Sequence, residues 1–137
     1  MTIGINTSLR TNRVTIIKDA IDNGGDEYSA GKLLIYSGTR PATGEAIDEY
    51  DNDLLVQFDL PYPCGTVSDG VLTFSAIETA LVLESGVATW ARLVDADDDF
   101  VADFSVAVAG DVRLDDIELF KDDFVRCTLA TITEGNA

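Results

Sequence analysis

Not one histidine occurs among the 137 residues. That absence removes every Ser-His and Cys-His nucleophile arrangement, the usual proton shuttle near neutral pH and the commonest zinc ligand. An enzyme is therefore not expected, nor is a cofactor. Cysteine is nearly as scarce: Cys64 and Cys127 have no CxxC spacing. Two buried thiols are expected in preference to a metal site or, in a cytoplasmic chain, a disulfide. Cations are few as well, with nine Lys and Arg against 25 Asp and Glu and a net charge of −16. Phosphate backbones are held by clustered Lys and Arg that release counterions, so nucleic acid is not an expected partner. No window approaches the roughly 18 apolar residues of a membrane span, and no apolar core follows the first basic residue, Arg10. A membrane is likewise not expected as a partner, and the chain reads as made and folded in a cytoplasm.

A chain of this length buries about two thirds of the surface its unfolded form exposes and can hold a core without metal or disulfide. Its organising stretch is residues 86–108, where two runs rich in Val, Thr, Trp and Phe flank the polar segment Asp95-Ala96-Asp97-Asp98-Asp99. This is the pattern of a β-hairpin. In the second run Phe100, Ala102, Phe104, Val106 and Val108 share one face and Asp103 and Ser105 the other. A period of two predicts the first face in the core and the second in water. The single tryptophan, Trp90, shares its face with Ala88 and Val94, and the opposite face, Val87, Ala91 and Leu93, is nearly as apolar. Alternation alone does not choose between them.

Ahead of this hairpin the spacing of Leu9, Ile16, Ile17, Ala20 and Ile21 predicts a helix over 8–22, capped by Thr7 or Ser8 and stopped by Asn23-Gly24-Gly25. The β-branched run Val14-Thr15-Ile16-Ile17 works against it. Strands are predicted over 32–36, over 54–60 with Leu54, Val56, Phe58 and Leu60 inward, and over 71–76, 79–84, 112–114, 117–120 and 124–133. Residues 37–44 are a Gly- and Pro-punctuated loop, and the acidic 45–53 is one helical turn or a solvated loop. Eight or so short strands with turns every eight to twelve residues argue for a mainly β fold, a β-sandwich or jelly-roll-like barrel with a short N-terminal helix. The expected division is residues 1–31 as an N-terminal helical segment and loop, and residues 32–137 as a single β domain.

Asp95, Asp97 and Asp99 stand at alternate positions, as carboxylates around a hard cation do. They are weak metal candidates. An EF-hand-like loop starting at Asp95 needs Gly where Phe100 stands and Glu where Val106 stands, so a solvated acidic turn is favoured. Asp115-Asp116 and Asp122-Asp123 read as turn residues, and paired carboxylates for acid–base work on a glycosidic bond are not distinguished among 25 acids. The loop 38–44 lacks the pattern of a phosphate cradle. The first 18 residues carry Arg10, Arg13 and Lys18 and no acid, whereas residues beyond 32 hold five basic and 21 acidic groups. The helix either caps the β-core with Ile16, Ile17, Ala20 and Ile21 or docks on a neighbouring subunit, steered by opposite charge. Leu9, Arg10, Arg13, Ile16, Ile17 and Trp90 are the candidate interaction residues.

Three stretches carry a resemblance over about residues 7–108. They are Thr7-Ser8-Leu9-Arg10 leading into a short helix, Leu34-Ile35-Tyr36-Ser37-Gly38-Thr39-Arg40-Pro41-Ala42, and Gly86-Val87-Ala88-Thr89-Trp90-Ala91-Arg92 followed by the Asp-rich turn. In these the chain resembles small virion structural proteins encoded by tailed bacteriophages and prophages. The resemblance implies a particle component, a head decoration (cement) protein on the capsid exterior. Its implied partners are the major capsid protein and further copies of itself. Another small neck or head–tail connector component fits the same resemblance. It brings no catalytic residues. The acidic 45–53 segment and the excess of Asp in the turns depart from the family pattern. A receptor- or glycan-binding β-module of the tail is the alternative, prompted by the sandwich-like pattern and by Tyr50 and Tyr62.

Overall fold

The computed structural model describes residues 6–23, 30–107 and 112–133. One helix, α1 (Thr7–Asp22), precedes the strands β1 (Lys32–Tyr36), β2 (Leu54–Asp59), β3 (Gly65–Ser68), β4 (Val71–Phe74), β5 (Ala80–Leu81), β6 (Gly86–Val87), β7 (Trp90–Val94), β8 (Phe100–Ala107), β9 (Val112–Leu114), β10 (Glu118–Leu119), β11 (Phe124–Val125) and β12 (Cys127–Thr133). Eight of these form one sheet in the order β2-β1-β7-β8-β9-β12-β4-β3, and β10-β6 and β11-β5 are separate two-stranded ribbons. Within the large sheet only β8 and β9 run parallel. The protein is mainly β, with one short N-terminal helix and a strongly curled sheet, a sandwich- or barrel-like body.

The helix begins one residue earlier than predicted. Asn6, extended at ψ 159°, is the cap, and its Oδ1 accepts from the Leu9 N–H at 2.7 Å. The inward face also differs from the expected one. Val14 and Ile21 are fully buried and Ile17 packs against the core, while Ile16 and Ala20 face out. Two apolar stripes share this helix, and its docking on the β3–β4 hairpin decides which is inward. The Thr11 Oγ1 accepts from the Gly70 N–H at 2.9 Å and the Asp22 Oδ1 from the Cys64 N–H at 3.0 Å. Both ends of the hairpin are thus tied to side chains one α1 face presents. The hairpin turns on Asp69 (φ 51°) and Gly70 (φ 79°), left-handed at both central positions, as a two-residue turn matched to strand twist requires. A side chain at position 70 would meet the Arg10 Cβ at 3.0 Å. Because Val14 and Ile21 belong to the same hydrophobic cluster as the strands, helix and β body share one core.

Two bulges reset faces that simple alternation had assigned. In β2 the pairing with β1 slips so that Leu55 is the extra residue, and Leu55 and Val56 are both buried while Leu54 is only partly so. In β8, Leu93 faces Ala102 and Val94 faces Phe100, leaving Val101 unpaired. The slip moves Phe100 off the core face and onto the Arg92 side of the sheet. The core face of the central strands is therefore Leu33, Ile35, Val56, Phe58, Ala91 and Leu93, with Ala102 and Phe104 partly buried beside them. Val108 lies outside the described residues.

Candidate functional site

The opposite face of β1, β7 and β8 is the most elaborately built part of the molecule. Cross-strand register places Leu34 beside Arg92, Tyr36 beside Trp90, and Arg92 beside Asp103. This face is roofed by residues 37–53, not by the helix. Asn52, itself buried, holds the roof: its Nδ2 donates to the carbonyls of Ser37 and Thr39 at 3.0 and 2.9 Å, and its Oδ1 accepts from the Asp48 N–H at 3.0 Å. Beneath it the Tyr36 and Trp90 rings stack 4.6 Å apart at 16°, and the Trp90 Nε1 donates to the Ser37 carbonyl at 3.2 Å. Trp90 is 1% exposed. It is thus an interior residue of the chain, not a surface available to a partner.

Arg92 links strand, hairpin and roof. Its Nε and Nη2 donate to the two carboxylate oxygens of Asp103 at 2.8 and 3.1 Å, and its Nη2 also donates to the Glu45 carbonyl at 2.8 Å. The Gly44 N–H donates to the same Asp103 at 3.1 Å. The guanidinium carbon lies 5.3 Å from the ring centroids of both Trp90 and Phe100, within cation–π reach of each. The Asp103 side chain is 0% exposed, so the water-facing position predicted for it is corrected: the roof covers it and the arginine neutralises it. The bond to Asp103 raises the already high pKa of Arg92, and burial raises that of Tyr36. Gly44, at φ 76°, lets the roof come within contact of the Phe100 ring. Roofed and ion-paired, this arrangement ties strand, hairpin and roof backbone together.

The Asp-rich tip of the β7–β8 hairpin has an organiser that was not anticipated. Asp95 is buried, and its Oδ1 accepts from the N–H groups of Asp97 and Asp99, both at 2.9 Å, while its Oδ2 accepts from the Asn23 Nδ2 at 3.3 Å. Burial alone would push this carboxyl up, but the bonds from Asp99, Asn23 and Asp97 outweigh it and hold the pKa below the ordinary value. Its oxygens are occupied by N–H donors, which a cation would have to displace. Asp97 and Asp99 are exposed, and Asp98 pairs with Lys32 at 2.7 Å. The expected solvated turn thus holds for Asp97 and Asp99 and is corrected for Asp95. Among the described residues no three acidic or cysteine side chains are grouped to hold a metal ion.

The helix candidates divide by face. Arg10 is half-buried against the β3–β4 turn and donates to the Thr7 Oγ1 at 3.2 Å, and Ile17 packs inward. Leu9 and Ile16 are exposed, at 46% and 67%, with Arg13 exposed between them. Lys18 is held by Asp22 at 2.9 Å, and that bond raises its pKa. Cys64 and Cys127 are both buried. Burial, reinforced by the Asp22 carboxylate, pushes the Cys64 thiol up to about 12, which leaves it inert at neutral pH. Tyr50 and Tyr62 are exposed on separate loops.

One surface escaped sequence reasoning. Around the β10 and β11 ribbons lies an open hollow of about 220 Å³ bounded by Asp115, Asp116, Glu118, Phe120, Asp123 and Phe124. Phe120 is 56% and Phe124 72% exposed, and Phe124 stands opposite the exposed Leu81 in the β11–β5 ribbon. The available signal was two phenylalanines flanking the Lys121-Asp122-Asp123 turn in a short, strongly acidic segment. Comparison with protein-family models, with curated proteins and with solved structures finds no match to this chain.

Proposed function

We propose that this chain is a structural protein of a tailed-phage particle: a non-enzymatic head decoration protein that binds the outer capsid surface and further copies of itself. The observation that carries this reading is where two of the three stretches behind the family resemblance meet. Residues 34–42 and 86–92 are far apart in sequence, yet β1 and β7 are paired neighbours. Tyr36 stacks on Trp90, Ser37 accepts from the Trp90 indole, and Arg92 anchors the roof that continues from residue 42. Two of the three stretches thus form one interlocked unit of scaffold, as befits a protein whose task is to be rigid and to bind by its surface. A net charge of −16 keeps free copies apart in the host cytoplasm before assembly. Binding across capsid subunits stabilises the shell by mass action, since it favours only the assembled state.

The test is sedimentation of the purified protein with heads that lack it. Co-sedimentation in low and moderate salt is expected; failure to bind in both overturns the reading. Binding to a glycan array together with absence from heads would move the protein to the tail.

A further inference from the structure

The hollow beside β10 and β11 repeats half of an arrangement that the roofed face completes. Under the roof two aromatic rings, Trp90 and Phe100, each lie 5.3 Å from the Arg92 guanidinium carbon, while the Asp103 carboxylate accepts from the same group at 2.8 and 3.1 Å. The hollow brings together the same two kinds of group. Its rings are those of Phe120 and Phe124, both more than half exposed, and its carboxylates are Asp115, Asp116, Glu118 and Asp123. Among the described residues no Lys or Arg lines it, and residues 115–123 hold five acids against Lys121 alone. A second copy of this chain is a poor source of the missing cation. Lys18, Lys32 and Arg92 are paired with Asp22, Asp98 and Asp103, and Lys121 stands 3.9 Å from Glu84. Arg10 and Arg40 donate to Thr7 and Thr43, Arg13 and Arg113 have partners within the chain, and Arg126 ends the acidic segment itself. The cation that fits the hollow therefore comes from a different molecule.

We propose that the Phe120–Phe124 hollow is a docking site for an arginine side chain presented by the protein surface this chain binds. The inference rests on the capsid binding in the reading above and names the face and the chemistry that carry it. A guanidinium is planar, stacks on aromatic rings and donates to a carboxylate through two N–H groups at once, whereas an ammonium is a compact point charge. The hollow therefore prefers arginine to lysine. Arg92 shows both contacts made on one guanidinium within this same chain. One such side chain in an open hollow is a weak contact. It becomes effective where many copies meet a surface that repeats the arginine, or where further contacts hold the two proteins together.

Three fluorescent peptides test it: one of alternating Arg and Gly, one with Lys in each Arg position, and one with citrulline, the neutral isostere of arginine. Binding is read by fluorescence polarisation at about 0.15 M salt, where distant attraction to an acidic protein is screened, and the same proteins are sedimented with heads that lack the chain. The arginine peptide is expected to bind at least about tenfold tighter than the citrulline peptide, with the lysine peptide between them. Phe120→Ser with Phe124→Ser, and separately Asp116→Asn with Glu118→Gln, are each expected to weaken the arginine peptide at least about fivefold and to reduce head binding. Glu49→Gln with Asp97→Asn removes the same charge at exposed positions elsewhere and is expected to change neither. Melting curves verify folding, and the carboxylate variant decides the matter if the Phe variant fails to fold. Equal affinity for the arginine peptide and either replacement, hollow variants that bind peptide or heads as the native protein does, or an equal loss in the Glu49 and Asp97 variant would each overturn the proposal. A native protein that does not bind heads, yet loses the arginine peptide when the hollow is altered, would uphold the hollow and sink the virion reading.

Discussion

The roofed face of β1, β7 and β8 and the hollow beside β10 and β11 are built from similar materials, aromatic rings with carboxylates, and put them to opposite uses. Under the roof the charges cancel at hydrogen-bond distance, Arg92 with Asp103 at 2.8 Å, and Trp90 is removed from water. At the hollow the carboxylates surround Phe120 and Phe124, which stay more than half exposed. An aromatic among charges is thus structural where backbone covers it and each charge has its counterion, and stays open to solvent where that cover is missing. Two of the three stretches that carry the resemblance fall on the closed region, and the third, residues 7–10, opens α1. Interlocking strand, roof and ion pair demands particular residues at particular positions, whereas a docking patch demands only composition.

Substitutions should separate the two regions by size and kind of effect. Trp90→Ala, which empties the space under the roof, is expected to cost about 3–5 kcal/mol in chemical denaturation. Asp103→Ala leaves the Arg92 guanidinium without its carboxylate and frees the Gly44 anchor. It should cost about 3 kcal/mol, towards the lower end for a broken buried pair because Arg92 keeps some exposure. If Arg92→Met with Asp103→Leu recovers most of that loss, the pair specifies the roof's position more than it stabilises the fold.

Asp95→Ala should cost about 1.5–3 kcal/mol at neutral pH, the range for hydrogen bonds to a charged group. Since the folded pKa of Asp95 lies below the unfolded one, its contribution is complete above the ordinary carboxylate pKa and is lost as pH falls through the lowered value. Melting temperatures of native and Asp95→Ala proteins should therefore converge on acidification; a gap that widens with acid would refute the turn's proposed organisation. Smallest in stability are Ile16→Glu and Phe124→Asp, both at exposed positions. Both are expected within about 0.5 kcal/mol of the native protein in chemical denaturation.

The mainly β class, the N-terminal helix and a hairpin within residues 86–108 were legible because long alternating or helical periodicities outweigh local detail; the hairpin itself is β7 and β8, since Gly86–Val87 pairs with β10 instead. What was not legible depends on one-residue events. The bulge at Val101 reverses Phe100, and nothing in the alternation of Phe100, Ala102 and Phe104 announces it. The helix carries two apolar stripes, and only docking on β3 and β4 selects Val14, Ile17 and Ile21 over Ile16 and Ala20. Strand β3 was missed although its signal was present: Asp69-Gly70 is a strong two-residue hairpin pair. Asp103 was read as solvent-facing because its role depends on the roof, a segment whose acidic composition resembles open loop. A lone Arg92 in an apolar strand was nevertheless a hint that a carboxylate would be found opposite.

Cryo-electron microscopy of tailed-phage heads incubated with this protein tests the proposed decoration role most directly. The expected result is density on the outer surface of the head that fits the curled sheet. Heads without that density, or copies confined to the tail, would contradict it.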